Sequence, residues 1–225
     1  MEDVFEKFHL QFGERYTRHL DLDLTEDVFR YDFFAALMHI KGLQSWEIHL
    51  EHPIDPSAYV PRNNEKSKRG EKPQLDLAFG DGAERTYVEF AMFKRNSVDG
   101  SPINDTENAF KILNDMMRLA LQVHVVKGSG YFVSVADYTM LGKRLKRSDR
   151  SEAFPAERYE FDHTVLQDLM NLYVVGRKID TRFLEKLQQT GITVCATRVF
   201  ERELKPPVPG KKSTLVSAWK VEALI

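Results

Sequence analysis

Apolar residues recur along this chain with two alternating periods, one helical and one extended. A 3.6-residue stripe over Asp3 to about Arg18 predicts a short amphipathic helix. A clearer one starts at Asp23, with Glu26 three positions on as in a capping box, and runs to about Ile40 before Gly42. Phe29, Phe33, Leu37 and Ile40 form its apolar stripe, and Glu26 and Arg30 lie on the same stripe. Asn104 to about Val126 reads as a long helix with Asn104 and Glu107 as capping signal and Ile112, Met116, Leu119 and Val123 inward. Helical pieces are also expected over Thr164–Tyr173 and Asp180–Gln189. Extended segments fall between them: Gln44 to Leu50, ending at Glu51 before His52-Pro53, then two strands within 73–93, Tyr131–Val135, Ile192–Phe200 and Leu215–Ala223. Helix, strand, hairpin, helix and strand, followed by further helices and strands, predict an α/β fold with a mixed sheet flanked by helices.

The hairpin carries the chemistry. Pro73-Gln74-Leu75-Asp76-Leu77-Ala78-Phe79 and Thr86-Tyr87-Val88-Glu89-Phe90-Ala91-Met92-Phe93 are apolar strands, each with one carboxylate, joined through Gly80-Asp81-Gly82-Ala83. Side chains alternate across a strand, so Asp76 shares a face with Gln74 and Ala78, and Glu89 shares one with Tyr87, Ala91 and Phe93. A turn centred on the Asp-Gly pair sets Asp76 opposite Tyr87 and diagonal to Glu89, roughly 7–8 Å apart at the backbone. Two carboxylates at that spacing reach one cation, and hard oxygen ligands suit a partly hydrated Mg²⁺. An unpartnered carboxylate would be costly in such apolar strands. The bland alternative is a solvent-facing pair, and Glu26 has an equally good explanation in pairing with Arg30. Glu51 reads as a strand terminus.

The rest of the composition narrows the classes. At 225 residues and 26.1 kDa, with 42% hydrophobic and 29% charged residues, the chain reads as a single domain over 1–225. A net charge of −2 confines any nucleic-acid contact to local basic patches. Two exist: Lys66, Lys68 and Arg69 in the loop from Arg62 to Lys72, and Lys143, Arg144, Lys146 and Arg147 in another. Such runs in loops are usually just solvated. The single cysteine, Cys195, excludes an intrachain disulfide and reads as an inert buried thiol. An acidic N-terminus and the lack of a long apolar run predict a cytoplasmic protein with no membrane span. His49 and His52 lack a second ligand pair at zinc spacing, and no P-loop, dinucleotide or nucleophile-elbow motif is present.

The hairpin and the elements around it, from about Asp23 to Val135, resemble the PD-(D/E)XK nuclease superfamily. The helices and strands of 160–225 add nothing specific to it. The resemblance implies a restriction-endonuclease-like mixed sheet, Mg²⁺ or Mn²⁺ as cofactor, and DNA as substrate, with RNA not excluded. Asp76 matches the metal-binding Asp, although Pro73 stands three residues ahead of it instead of directly before it. Glu89 matches the Glu of the Glu-x-Lys motif, and Glu26 the acidic residue that many members carry on the first helix. The position of the lysine holds Ala91. In this chemistry a metal on the two carboxylates activates water, and the lysine orients that water and offsets developing charge. Alanine does neither. Three readings follow: a degenerate member that binds without cutting, a lysine supplied from Lys94, Lys72 or Lys111, or an alanine replacing an original lysine. Alternation sets Lys94 on the wrong face, and Lys111 lies in a Glu107–Lys111–Asp115 ladder that suits a solvated helix face. The functions implied are a metal-dependent DNA endonuclease of a defence or restriction-like system, inactive or weak as written. The alternative is a dead relative acting as a nucleic-acid- or protein-binding subunit or homodimer. A third class is an α/β interaction protein with structural carboxylates.

Overall fold

The computed structural model describes residues 1–18, 24–62, 72–93, 105–137, 157–172, 179–204 and 214–225. Among them run five α-helices: α1 (Glu2–Arg18), α2 (Glu26–Lys41), α3 (Asp105–Val126), α4 (His163–Leu172) and α5 (Thr181–Thr190). Seven strands, β1 (Ile48–Pro53), β2 (Gln74–Phe79), β3 (Thr86–Phe93), β4 (Ser129–Asp137), β5 (Arg158–Phe161), β6 (Thr193–Leu204) and β7 (Thr214–Leu224), form one sheet. Its order is β1-β2-β3-β4-β7-β6-β5. Only β3 and β4 pair in parallel, which requires the crossover that α3 makes between them; the other neighbours are antiparallel. The α/β class and the mixed sheet flanked by helices are therefore as the periodicities predict.

Both faces of the sheet are covered, and the two cores separate cleanly. On one face Phe5, Phe8 and Phe12 of α1 and Phe29 and Phe33 of α2 pack on Leu77, Val88, Phe90, Val133 and Val135. The ring of Phe90 lies 5.2 Å from that of Phe29 and 5.0 Å from that of Phe33, both edge-on. On the other face Ile112, Met116 and Leu119 of α3, with α4 and α5, pack on Ala78, Tyr87, Ala91, Phe132 and Trp219. Alternation along β3 is strict: Val88 and Phe90 meet α1 and α2, while Tyr87 and Ala91 meet α3. Glu89 thus points toward α3. No helix among the described residues is long and apolar enough to cross a membrane.

Several element boundaries depart from the sequence pattern. The second helix begins at Glu26 with Thr25 as its N-cap, so Glu26 is not the partner in a capping box with Asp23, which lies outside the described residues. The Gln44–Leu50 segment splits. Gln44 and Glu47 close a capping box on a short 3₁₀ turn, Ser45–Glu47, and the strand starts only at Ile48 and runs through Pro53. Pro53 is tolerated because β1 is an edge strand. Ile40, assigned to the buried stripe, is 38% exposed at the helix end. The short edge strand β5 was not foreseen; four residues carry too little alternation to announce themselves.

Candidate functional site

The ladder between β2 and β3 stops early. Its pairs are Phe79↔Thr86, Ala78↔Tyr87 and Leu77↔Val88. Continuing that register sets Asp76 directly opposite Glu89, not opposite Tyr87. The cause is the connection: instead of a two-residue Asp-Gly turn it is a longer loop holding a 3₁₀ turn, Gly82–Glu84, with Gly80 at φ 77° and Gly82 at φ 54°. The Arg85 guanidinium ties the loop by donating to the Gly80 carbonyl at 2.9 Å. The centre of the hairpin shifts by one residue, and the register follows.

Side chains take over where the ladder ends. The Asp76 N–H donates to Glu89 Oε2 at 3.3 Å, and the Phe90 N–H donates to Asp76 Oδ2 at 2.7 Å. The other flank of β2 is disturbed at the same level: pairing with β1 passes from Leu50↔Leu77 to His52↔Leu75, and Glu51 between them has φ 51°. A non-glycine residue rarely adopts that backbone. Glu51 is therefore a distorted position within β1 and not its terminus.

Three cations converge on this fork. Arg30 Nη2 of α2 lies 2.8 Å from Asp76 Oδ1 and 2.6 Å from Glu26 Oε1. Lys111 Nζ of α3 lies 3.0 Å from Glu26 Oε2, which also accepts from the Met92 N–H at 3.4 Å. Arg118 Nη2 of α3 lies 3.1 Å from Glu89 Oε1, and its Nη1 is 3.5 Å from Asp115 Oδ1. The approach to Glu89 Oε1 is an ion-pair distance without hydrogen-bond alignment, since that oxygen is buried with no hydrogen-bond partner. Arg118 also donates to the Gln74 carbonyl. Exposure is graded across the cluster: the Glu89 side chain is 3% exposed, Asp76 18%, Glu26 27% and Lys111 42%. The cluster opens to solvent on the Glu26–Lys111 side.

The electrostatics follow from burial. Burial pushes the Glu89 carboxyl well above the usual range; Arg118 opposes this, and Asp76 and Asp115 reinforce it. Asp115 is pushed up to about 6 by burial, against the pull of Arg118 and Lys111. Burial disfavours the Lys111 ammonium, but Asp115 and Glu26 outweigh it and its pKa is raised, so it stays charged. Four carboxylates face three cations here.

Of the residues singled out in the sequence, Asp76, Glu89 and Glu26 come together, and Glu26 pairs with Arg30. Ala91 is fully buried in the α3-side core, beside Ser134 across the parallel β3–β4 pair. Lys111 is not on a solvated face; it turns inward to Glu26. Lys72 is exposed, and Lys94 lies outside the described residues. So do Lys66, Lys68, Arg69, Lys143, Arg144, Lys146 and Arg147. Arg118 was missed, and Asp115, read with Lys111 as part of a solvated helix face, is buried beside Arg118. Their signal was available: Lys111, Asp115 and Arg118 stand at i, i+4 and i+7 of one helix, the face that looks onto the sheet. Among the described residues no group of three metal-ligating side chains is assembled. The pair Asp76 and Glu89 fits a cation held by two carboxylates and water: both offer hard oxygens, and Glu89 Oε1 is a buried acceptor with no hydrogen bond. Cys195 is a buried free thiol, as expected.

Compared with protein-family models, characterised proteins and solved structures, the chain matches none.

Proposed function

We propose that this protein is a metal-dependent nuclease of the PD-(D/E)XK kind, acting on DNA, in which Lys111 stands in for the lysine absent at Ala91. The observation that carries this reading is the convergence of Asp76, Glu89 and Glu26 with a charged Lys111 at the fork where β2 and β3 part. Asp76 and Glu89 would hold Mg²⁺ or Mn²⁺, which when bound supplies an activated water and a counter-charge for phosphate. The chain's own groups do the rest. The Phe90 N–H orients the Asp76 carboxylate, and the Asp76 N–H orients that of Glu89. Glu26 steers the Lys111 ammonium to the exposed rim, where an incoming phosphodiester meets a positive charge. A defence or restriction-like role fits this class of chemistry.

The second reading is a nuclease-like binding subunit that does not cut. It is favoured by the protein's own cations already neutralising Asp76, Glu26 and Glu89. Plasmid and oligonucleotide cleavage with Mg²⁺ or Mn²⁺ separates the two. Under the first reading the chain nicks DNA, Asp76→Ala and Glu89→Ala abolish it, and Lys111→Met lowers the rate by on the order of 10²–10³, by analogy with loss of one oxyanion donor. Cleavage that appears only in Ala91→Lys shows instead that position 91 is where the missing charge belongs. A chain inert on DNA and RNA in both forms is the binding subunit.

A further inference from the structure

Each of the two central carboxylates has one oxygen fastened to the backbone and the other facing an arginine, hydrogen-bonded at Asp76 and ion-paired without a hydrogen bond at Glu89. Asp76 Oδ2 accepts from the Phe90 N–H at 2.7 Å, leaving Oδ1 to Arg30 at 2.8 Å. Glu89 Oε2 accepts from the Asp76 N–H at 3.3 Å, leaving Oε1 to Arg118 at 3.1 Å. The arrangement is parallel at the two residues, although only Asp76 accepts a hydrogen bond from its arginine. Backbone amides fix how the carboxylates point, and the oxygens that remain for a cation are the two that arginines occupy.

We propose that Arg30 and Arg118 are built-in competitors for the divalent cation, so that metal enters this site only by displacing a guanidinium from Asp76 Oδ1 and Glu89 Oε1. This rests on the metal-site reading given above. The two arginines differ in what they leave behind. Arg30 retains Glu26 Oε1 at 2.6 Å when it releases Asp76, so its charge stays compensated. Arg118 retains Asp115 at 3.5 Å and the Gln74 carbonyl when it releases Glu89. Each therefore has a second seat within reach of its present one, and neither charge has to be expelled into an apolar core. The Nε atoms of both arginines are buried without hydrogen-bond partners, so neither guanidinium is fully satisfied where it sits. A planar guanidinium spreads its charge over several nitrogens, whereas a small divalent ion concentrates two charges on the same oxygens. Competition is then decided by cation concentration. The device keeps the acid pair neutralised at low divalent concentration and opens it above a threshold.

The test is direct binding of Mn²⁺ alone, read by calorimetry and by the Mn²⁺-induced shift in Tm, with no substrate present. Arg118→Met should bind Mn²⁺ at least tenfold more tightly than the unchanged chain and show the larger Mn²⁺-induced rise in Tm. Arg30→Met should also bind Mn²⁺ more tightly, because it frees Asp76 Oδ1, while Lys111 still neutralises Glu26. Since Arg118→Met leaves buried carboxylates uncompensated, the double variant Arg118→Met with Asp115→Asn, which restores the charge balance, serves if the single one does not fold. Glu89→Gln added to either should remove the gain. Equal Mn²⁺ affinity in the unchanged chain and the arginine variants, with Glu89→Gln weakening all of them, overturns the competition and leaves the metal site standing. Binding that ignores both Glu89→Gln and Asp76→Asn removes the metal site itself, and the competition with it.

Discussion

At Asp115, burial and charge pull in opposite directions and burial wins. Arg118 and Lys111 favour the carboxylate, yet its pKa stands at about 6 against 3.8. A carboxyl whose folded pKa is raised contributes its stability below the unfolded value and loses it as pH rises through the folded one. This group therefore stabilises the fold progressively as pH falls from about 7 to about 4, the reverse of an ordinary salt-bridged aspartate. Glu89, raised in the same direction, adds to the trend. Asp115→Asn should flatten the slope of unfolding free energy against pH by on the order of 1–3 kcal/mol over that window, measured by urea denaturation. An unaltered slope would mean that the folded pKa of Asp115 is not raised and that the carboxylate stays ionised down to the ordinary range. The same competition explains what the sequence could and could not reveal at this scale. Asp76 and Glu89 stood out because carboxylates are rare in apolar strands. Arg118 and Asp115 did not, because charged residues on a helix are ordinary until the facing surface is known, and that face turned out to be the sheet.

Among the elements, the passage from α3 into β4 is tight. Gly128 has φ 131°, and a Cβ there would stand 2.5 Å from the Arg85 carbonyl, which also accepts from the Ser129 N–H at 3.0 Å. That contact sets the start of β4 against the start of β3. Gly128→Ala should cost about 2–4 kcal/mol, from strained backbone together with a backbone clash. Gly42→Ala, at φ 68° in open space after α2, should cost only about 1 kcal/mol. Urea midpoints of the two variants give the comparison, and equal losses would show that the clash at Gly128 is relieved. Helices and buried strands were legible because each repeats one period over its length, from six residues in β2 to 22 in α3. The β2–β3 register was not. It depends on whether a loop holds two residues or six, and the Asp81-Gly82 pair is compatible with both.

Across the whole molecule, the covered sheet gives its two tryptophans opposite environments. Trp219 of β7 is fully buried with its ring 5.8 Å from that of Phe132, while Trp46 is 75% exposed before β1. Iodide should quench about one of the two emissions in the native state, and Trp46→Phe should leave a blue-shifted, iodide-resistant spectrum that reddens only on unfolding. Quenching of that remaining emission would contradict the packing of β7. The position of β7 has a further consequence, for biosynthesis. It lies between β4 and β6 yet is the last of the seven strands to be translated. Glu26, Arg30, Asp76, Glu89, Lys111, Asp115 and Arg118 have all emerged by the end of α3. A nascent chain thus carries the complete polar cluster while the outer edge of β4 is still waiting for its partner. During that interval a hydrophobic strand edge stands open to neighbouring chains, so slow elongation through 138–213 would expose the protein to aggregation before any loss of the site itself.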